Sequence, residues 1–200
     1  ILESEAATAT MARLARAYDE GQHDPDARRF ARLATAVCKY WLCKRAPAHA
    51  AEALECLGGN GFVEESNMPR LYREAPLNGI WEGSGNVICL DVLRAMHKDP
   101  AAVELFFAEI DRADEPRLTR AVAALHAELA DVDGIELRAR RIVERLAIVL
   151  QASLLLRHAP AAVSSAFLTS RLDGDRGLAF GTLPPGVDAD AILARAAVQR

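Results

Sequence analysis

The sequence predicts an all-α protein. Alanine and leucine are abundant among its 200 residues and runs of β-branched residues are short, a composition that favours helices. Apolar residues recur at spacings of three and four along most of the chain, a pattern typical of amphipathic helices with one buried face. Because hydrophobic residues make up 51% of the sequence, a sizeable core is expected. The length suits one large domain or a domain with an appendage.

Long helices are predicted in the first half of the chain, on either side of one irregular segment. Residues 1–19 carry an apolar helical pattern, and Asp24 and Pro25 suit the N-cap and first position of the next helix. Pro47 either kinks that second helix or separates it from a third. We expect residues 62–84 to be mainly irregular, with a short helix near Pro69 to Glu74. The apolar face of the helix that follows them consists of Val87, Leu90, Leu93 and Met96.

Proline and glycine divide the second half into further predicted helices. These helices begin near Pro100, Pro116, Ile135 and Pro160, and a short last one spans residues 188–198. We therefore expect three parts. They are a helical bundle over residues 1–98, an additional helical extension over residues 99–172, and a loose tail with a possible short helix over residues 173–200.

Charge and cysteine content narrow the class of protein. A net charge of −4 and a pI near 5.8 give no general attraction to nucleic acid or to an anionic membrane. No apolar run of membrane-spanning length and no signal peptide is present, so we expect a cytoplasmic protein without a membrane partner. The histidines are scattered, without the spacing of a metal site. The four cysteines are expected to be reduced, buried thiols: Cys38, Cys43, Cys56 and Cys89.

One basic cluster runs against the overall charge. Its members lie close together on one predicted helix: Arg138, Arg140, Arg141 and Arg145. They predict either a local DNA-binding surface or a solvated helix face, and Glu136 and Glu144 partly neutralise them. We favour the solvated face, which makes DNA a minor candidate partner. Binding through phosphates would depend steeply on salt concentration.

A lone carboxylate, Glu82, is the strongest candidate for chemistry. It lies between the large aromatic Trp81 and the small run Gly83-Ser84-Gly85. An aromatic neighbour can desolvate a carboxylate and raise its pKa toward that of a useful base. Small residues let a ligand approach the backbone closely. The alternative is an acidic residue that favours a helix N-terminus, with Ser84 as the cap.

The flanking segments also allow two interpretations. The run Gly58-Gly59-Asn60-Gly61 is either a helix C-cap followed by a turn or a backbone surface for a phosphate. Arg70, Arg73 and Glu74 can form plain surface ion pairs. The aromatic residues in this region, Tyr72 and Trp81, can be core residues.

In combination, the three segments resemble the acyl-CoA dehydrogenase family. The segments occur in the order Glu55 to Gly61, Leu71 to Ala75, and Ile80 to Ser84. They are similar to the family's Q-x-x-G-G-x-G, R-D-A and Y-E-G-T motifs, at matching spacing. The resemblance covers about residues 1–98 and implies the family's C-terminal helical domain.

The resemblance implies a role for each motif residue. Glu82 would abstract the α-proton of an acyl-CoA thioester while the β-hydrogen leaves as hydride to FAD, and Gly83 would lie against the thioester. The residues implied in FAD binding are Ser84 and Asn86, together with Glu55, Cys56, Leu57, Gly58 and Gly59. Because the last five match a stretch that contacts the FAD of a neighbouring subunit, a homo-oligomer is implied, usually a dimer of dimers.

Several residues depart from the family motifs. Glu55 stands in place of glutamine, Glu74 of aspartate, Trp81 of tyrosine and Ser84 of threonine. These variants most resemble the AidB-like branch, whose flavoproteins are associated with alkylation response, are similar to isovaleryl-CoA dehydrogenases and in one case bind DNA through the C-terminal region. A DNA-associated or alkylation-stress role with little dehydrogenase activity is therefore the alternative function.

The chain is also expected to be a fragment. It begins without methionine, inside a helical pattern, and the family's upstream domains supply much of the flavin site. FAD and dehydrogenase activity are consequently expected in the intact parent and not in these 200 residues alone.

Overall fold

A computed structural model describes residues 1–197, and within this range it contains helices and no β-strand. The helices of the first half are α1 (Leu2–Glu20), α2 (Pro25–Cys56), α3 (Gly59–Phe62), α4 (Met68–Glu74) and α5 (Gly85–Lys98). Those of the second half are α6 (Pro100–Ile110), α7 (Pro116–Ala130), α8 (Ala139–His158), α9 (Ala161–Arg171) and α10 (Ala189–Ala196). Two short 3-10 helices cover Ala75–Gly79 and Ile135–Arg138. The all-α prediction is confirmed.

Helix starts follow the local signals in the sequence. The Asp24 carboxylate accepts a hydrogen bond of 2.9 Å from the backbone N–H of Asp26, so the predicted N-cap of α2 is confirmed. Glu115 caps α7 in the same way. The last helix ends at Ala196, whereas the end expected for it, Val198, lies outside the described residues.

Pro47 does not divide the second helix. A single helix of 32 residues runs through it, so the alternative of two separate helices is wrong. Proline lacks an N–H group, which leaves the carbonyl of Cys43, four residues earlier, without its usual helical donor. That carbonyl faces the 3-10 helix Ala75–Gly79, because a Cβ atom placed on Gly79 would lie 3.7 Å from it.

The hydrophobic core is continuous across the proposed boundary near residue 98. The α8 helix lies at its centre and packs against α1, α2, α5, α6, α7 and α9. Its side chains from Ile142 to Leu155 are buried almost all round the helix, rather than on the single face that the spacing predicted. Helices on both sides of residue 98 therefore share one core.

Two polar links also join the first and second halves. The indole Nε1 of Trp41 on α2 donates a hydrogen bond of 3.1 Å to Oε1 of Gln151 on α8, and both residues are buried. The buried carboxylate of Glu109 on α6 accepts hydrogen bonds from Arg13 on α1 at 3.0 Å and from Arg157 on α8 at 2.5 Å. Buried polar groups are stable only when paired in this way.

The tail, expected to be loose, is anchored at several points. Phe180 lies under the Arg45 guanidinium at 4.5 Å and beside His49 with ring centroids 6.2 Å apart. Farther along, Ile192 is buried and Arg195 forms an ion pair with Glu5 on α1 at 2.6 Å. Phe180 and Arg195 therefore attach the described part of the tail to the second half of α2 and the start of α1.

Candidate functional site

The backbone of Glu82 has an uncommon conformation. Its φ is +57°, and no other non-glycine residue among residues 1–197 has a positive φ. The left-handed region costs a residue with a Cβ about 1–2 kcal/mol, so surrounding contacts must hold it there. The next residue, Gly83, has φ +119°, which only glycine adopts readily. The orientation of the Glu82 side chain therefore differs from that in a turn whose residues all have negative φ.

Lys39 on α2 holds this loop on both sides of Glu82. Its ammonium group donates hydrogen bonds of 2.9 Å to the carbonyl oxygen of Trp81 and of 2.9 Å to that of Gly83. Hydrogen bonds from a charged donor contribute up to about 1.5–3 kcal/mol each, and less where solvent screens them, as at the exposed contact with Trp81. One lysine thus restrains the loop on both sides of the residue with positive φ.

The start of α5 packs tightly on the same face of α2. A Cβ atom on Gly85 would lie 2.6 Å from the Lys44 side chain and 3.2 Å from the Tyr40 ring, so glycine allows this close approach. Ser84 occupies the N-cap position of α5, as expected, but its side chain makes no capping hydrogen bond. The Ser84 hydroxyl, like the Asn86 side chain, is exposed and is accessible to a ligand.

Neither aromatic residue near Glu82 belongs to the core. Trp81 is 58% exposed and Tyr72 is 46% exposed, so the interpretation of both as core residues is wrong. Glu82 is itself exposed, and in this chain Trp81 does not bury it. An apolar enclosure around the carboxylate must come from outside residues 1–197 if it forms.

The glycine run after α2 combines a structural requirement with an open surface. Gly58 has φ +57° directly after the helix end, so the C-cap interpretation is confirmed for it. Gly61 is required by packing, because a Cβ atom there would lie 2.1 Å from the Leu54 carbonyl oxygen. Gly59 has neither constraint: its φ is not positive and a Cβ atom would meet nothing within 4 Å.

Only some of the predicted cofactor residues share one cavity. Glu55, Gly58 and Gly59 line an open groove of about 1070 Å³, which Tyr72 and Arg73 border on the opposite side. Cys56 faces a different cavity of about 470 Å³, between α1, α2 and the tail. The Leu57 side chain is exposed and lines neither cavity.

The Glu82 loop and the part of this groove that Glu55 lines are separated along α2. Lys39, which binds the loop, precedes Glu55 by 16 residues on the same helix. At about 1.5 Å per residue, the two regions are separated by about 24 Å along α2. One set of predicted site residues lies beside Glu82: Gly83, Ser84 and Asn86. The other set, Glu55 to Gly59, lies at the C-terminal end of α2. The structure does not bring the two sets together in one chain.

The charged residues near the groove form surface ion pairs, as one interpretation predicted. Arg70 pairs with Glu74 at 3.1 Å, and Arg73 pairs with Glu64 at 2.8 Å. These pairs are exposed and contribute little to stability.

The basic cluster of the second half is largely neutralised by neighbouring carboxylates. Arg141 and Arg145 both bind Glu128, at 2.9 and 2.6 Å, and Arg138 binds Asp131 at 2.7 Å. Arg140 lies 6.0 Å from the centre of the Tyr40 ring. Paired in this way, three of the four arginines fit the interpretation of a solvated helix face better than a phosphate-binding surface.

The thiols are all unpaired, but their exposure varies. Cys38 and Cys89 are buried, and burial raises the pKa of their thiols to about 12 and about 11. Cys43 is half-buried and Cys56 is exposed, so the expectation of four buried thiols is wrong for these two. Within residues 1–197, no group of His, Cys, Asp and Glu side chains is arranged to hold a metal ion. None of the helices in that range has the length and apolar character needed to cross a membrane.

The contribution of Lys39 was not identified from the sequence. It lies inside a long helix, away from the three motifs, and its two partners are backbone carbonyls. Backbone acceptors leave no residue-type signal, since every residue has a carbonyl. The nearest signal is its helical spacing from Cys43 and Lys44, which pack against the same segment.

Comparison with protein families supports the motif assignment. Residues 1–97 match the family described as acyl-CoA dehydrogenase, C-terminal domain. The putative acyl-CoA dehydrogenase AidB of Escherichia coli K12 is 39% identical over 180 residues, covering 88% of this chain and 32% of that protein. Acyl-CoA dehydrogenase family member 11 of Caenorhabditis elegans is 46% identical over 63 residues, covering 32% of this chain and 10% of that protein.

A solved structure shares the fold over the whole chain. The crystal structure of Caenorhabditis elegans ACDH-11 in complex with C11-CoA matches 100% of this chain and 39% of its own, with a TM-score of 0.69 and 22% sequence identity. At that identity the similarity shows the fold alone. The chain spans about a third of the length of the AidB relative, at 32%.

Proposed function

Since the chain belongs, through residues 1–97, to the acyl-CoA dehydrogenase family, we propose that it is the C-terminal part of a flavin-dependent acyl-CoA dehydrogenase. The observation that carries the proposal is the backbone at Glu82. A positive φ at a non-glycine residue, maintained by two hydrogen bonds from Lys39, is the kind of strain found at active sites. It occurs at the residue that the motif resemblance assigns as the base.

In this proposal Glu82 acts as a general base on an acyl-CoA thioester. Its carboxylate accepts the proton of the α C–H bond, and the electron pair of that bond forms the new α,β double bond. FAD supplies the hydride acceptor for the β-hydrogen. Gly83, with no side chain, leaves room for the thioester beside Glu82. The product is the α,β-unsaturated acyl-CoA.

The residues proposed to hold FAD fit such a group. Gly59 has open space where a side chain would stand, and neither packing nor φ explains a glycine there. An approaching cofactor would explain it, with backbone N–H groups available to a phosphate. At the other end, the free hydroxyl of Ser84 and the exposed Asn86 can donate hydrogen bonds. Glu55, where the family has glutamine, would bring a negative charge near that phosphate.

We also propose a homo-oligomer in which each flavin contacts two subunits. The separation of about 24 Å along α2 between Lys39, which binds the Glu82 loop, and Glu55 supports it, because the two sets of motif residues can then contact flavins of different subunits. A set of large apolar side chains between α2 and α5 is more than 40% exposed: Leu57, Phe62, Leu71, Leu77, Ile80 and Trp81. Exposed apolar side chains in this region support a subunit interface there. An isolated chain does not bring the residues around Glu82 together with Glu55 to Gly59, so it should retain no FAD.

The proposed substrate and location follow from the same comparisons. The structural match to a protein solved in complex with C11-CoA supports an acyl-CoA substrate class, although that match is at the level of the fold. The unpaired state of all four cysteines supports a cytoplasmic location. An AidB-like role in alkylation stress or association with DNA is the second candidate, favoured by the 39% identity to the putative acyl-CoA dehydrogenase AidB.

Replacing Glu82→Gln in the whole protein that contains this chain tests the proposal. Glutamine keeps the size of the side chain and removes the base, so acyl-CoA oxidation should fall by about 10²–10⁴-fold while FAD is retained. Anaerobic bleaching of the flavin by a short branched acyl-CoA measures the loss. Glu104→Gln, at an exposed residue of α6 away from the groove and the Glu82 loop, is the matched control. A wild-type protein with bound FAD and no acyl-CoA turnover would contradict the proposal and favour the second candidate.

A further inference from the structure

We propose that Lys39 is a positioning residue for the catalytic carboxylate, an inference that rests on the proposed role of Glu82. The lysine reaches from the middle of α2 and binds the carbonyl oxygens of Trp81 and Gly83, each at 2.9 Å. These two carbonyls belong to the residues immediately before and after Glu82. One ammonium group therefore holds the peptide unit directly before Glu82 and the peptide unit after Gly83, so the two-residue segment that contains Glu82 is restrained at both ends.

The geometry explains why a cation is needed at this point. With φ at +57°, Glu82 would relax toward negative φ if its neighbours were free, and its side chain would then leave in another direction. Two carbonyl oxygens that converge on one point repel each other unless a donor lies between them. The Lys39 ammonium supplies two donors and a positive charge there, whereas an uncharged apolar side chain supplies neither.

The arrangement around Lys39 makes this a dedicated contact. No carboxylate among residues 1–197 forms an ion pair with it, so its polar contacts in that range are the two loop carbonyls. The α2 helix that carries it is rigid, because Val37 and Cys38 beside it are buried in the core. Lys39 thereby ties the position of Glu82 to the core of the bundle.

Lys39→Met in the whole protein tests this role. Methionine retains the length and apolar stem of lysine without its donors, so kcat for acyl-CoA oxidation should fall about 10- to 100-fold. The KM for the acyl-CoA and the FAD content should change little, since Lys39 is not proposed to contact either. Lys39→Arg, which keeps charge and donors, should restore part of kcat. Lys98→Met, at an exposed lysine at the end of α5, is the control.

Hydrogen exchange provides a readout that does not depend on activity. In Lys39→Met the backbone amides of residues 81–84 should exchange about tenfold faster or more, while those of α2 and α8 keep wild-type rates. Unchanged exchange in the loop, or an unchanged kcat in an active enzyme, overturns the inference. If the wild-type protein has no acyl-CoA turnover, the proposed function fails, and the exchange rates alone then decide whether Lys39 holds the loop.

Discussion

At the scale of single residues, the glycines around the candidate site serve different purposes that sequence alone does not separate. Gly61 is excluded from bearing a side chain by the Leu54 carbonyl and Gly58 by its positive φ, whereas Gly85 lies against the Lys44 and Tyr40 side chains. Gly59 has none of these constraints. A glycine without a structural reason leaves room for a ligand to approach the backbone, which is the physical basis for proposing that Gly59 contacts a cofactor.

This difference predicts opposite effects for two alanine substitutions. Gly61→Ala should lower the free energy of unfolding by about 1–3 kcal/mol, because its methyl group would overlap the Leu54 carbonyl. Gly59→Ala should leave that free energy unchanged or raise it by up to about 1 kcal/mol, because alanine fits and restricts the unfolded chain. Urea unfolding of the 200-residue chain measures both changes.

The same pair tests the placement of the cofactor. In the whole protein, Gly59→Ala should reduce the ratio of bound FAD to protein, since its methyl group occupies the space that the flavin nucleotide would enter. Full FAD retention in a stable Gly59→Ala protein would show that the groove is not part of the flavin site.

At the scale of helices, the Glu109 cluster holds three elements together. Its carboxylate lies between Arg13 of α1 and Arg157 of α8. Burial disfavours the ionised form of Glu109, but the hydrogen bonds and charges of these two arginines outweigh burial, and the pKa lies below its ordinary value of 4.5. Removal of one partner from such a cluster leaves a buried charge unpaired.

Glu109→Gln should therefore destabilise the chain by on the order of 3 kcal/mol at neutral pH, because Arg13 and Arg157 lose their counter-charge. A lowered folded-state pKa stabilises the fold above the unfolded pKa, and that stability is lost as the pH falls through the folded value. The wild-type chain should consequently lose more stability than the variant as the pH drops below about 4.5. Thermal melts from pH 7 to about pH 3 measure the two slopes.

The matched control for this prediction is Glu104→Gln, on the same helix but exposed. Its stability and its pH dependence should follow the wild type closely. Parallel curves for Glu109→Gln and the wild type in acid would contradict a role for Glu109 ionisation in stability.

At the scale of the whole molecule, sequence patterns predicted local features well and long-range ones poorly. Helix starts at Pro25, Pro100 and Pro116 were predictable because N-caps and prolines act over a few residues. The resemblance to the acyl-CoA dehydrogenase family was recognisable because the residue types and spacing of its three motifs are local. The shared core around α8 was not, since periodicity identifies a buried face without identifying the helix that covers it. Trp81 was misjudged as a possible core residue for the same reason.

The shared core leads to a prediction about cooperativity. A chain truncated after residue 98 loses α8, which buries thirteen of its twenty residues against the rest of the protein. Leu33 and Val37 on α2, together with Val92 on α5, are among the buried residues of the same core. The remaining contacts cannot offset the free-energy cost of exposing this apolar core surface to water. Residues 1–98 alone should therefore lack a cooperative thermal transition. The full 200-residue chain should melt in one transition, with equal calorimetric and van't Hoff enthalpies.

A chain ending at residue 172 is the control. It keeps α8 and should still melt cooperatively, but at a lower temperature, because it loses the contacts of Phe180 and Arg195. Two separate transitions in the full chain, or a cooperative melt of residues 1–98, would show that the extension folds independently of the family domain.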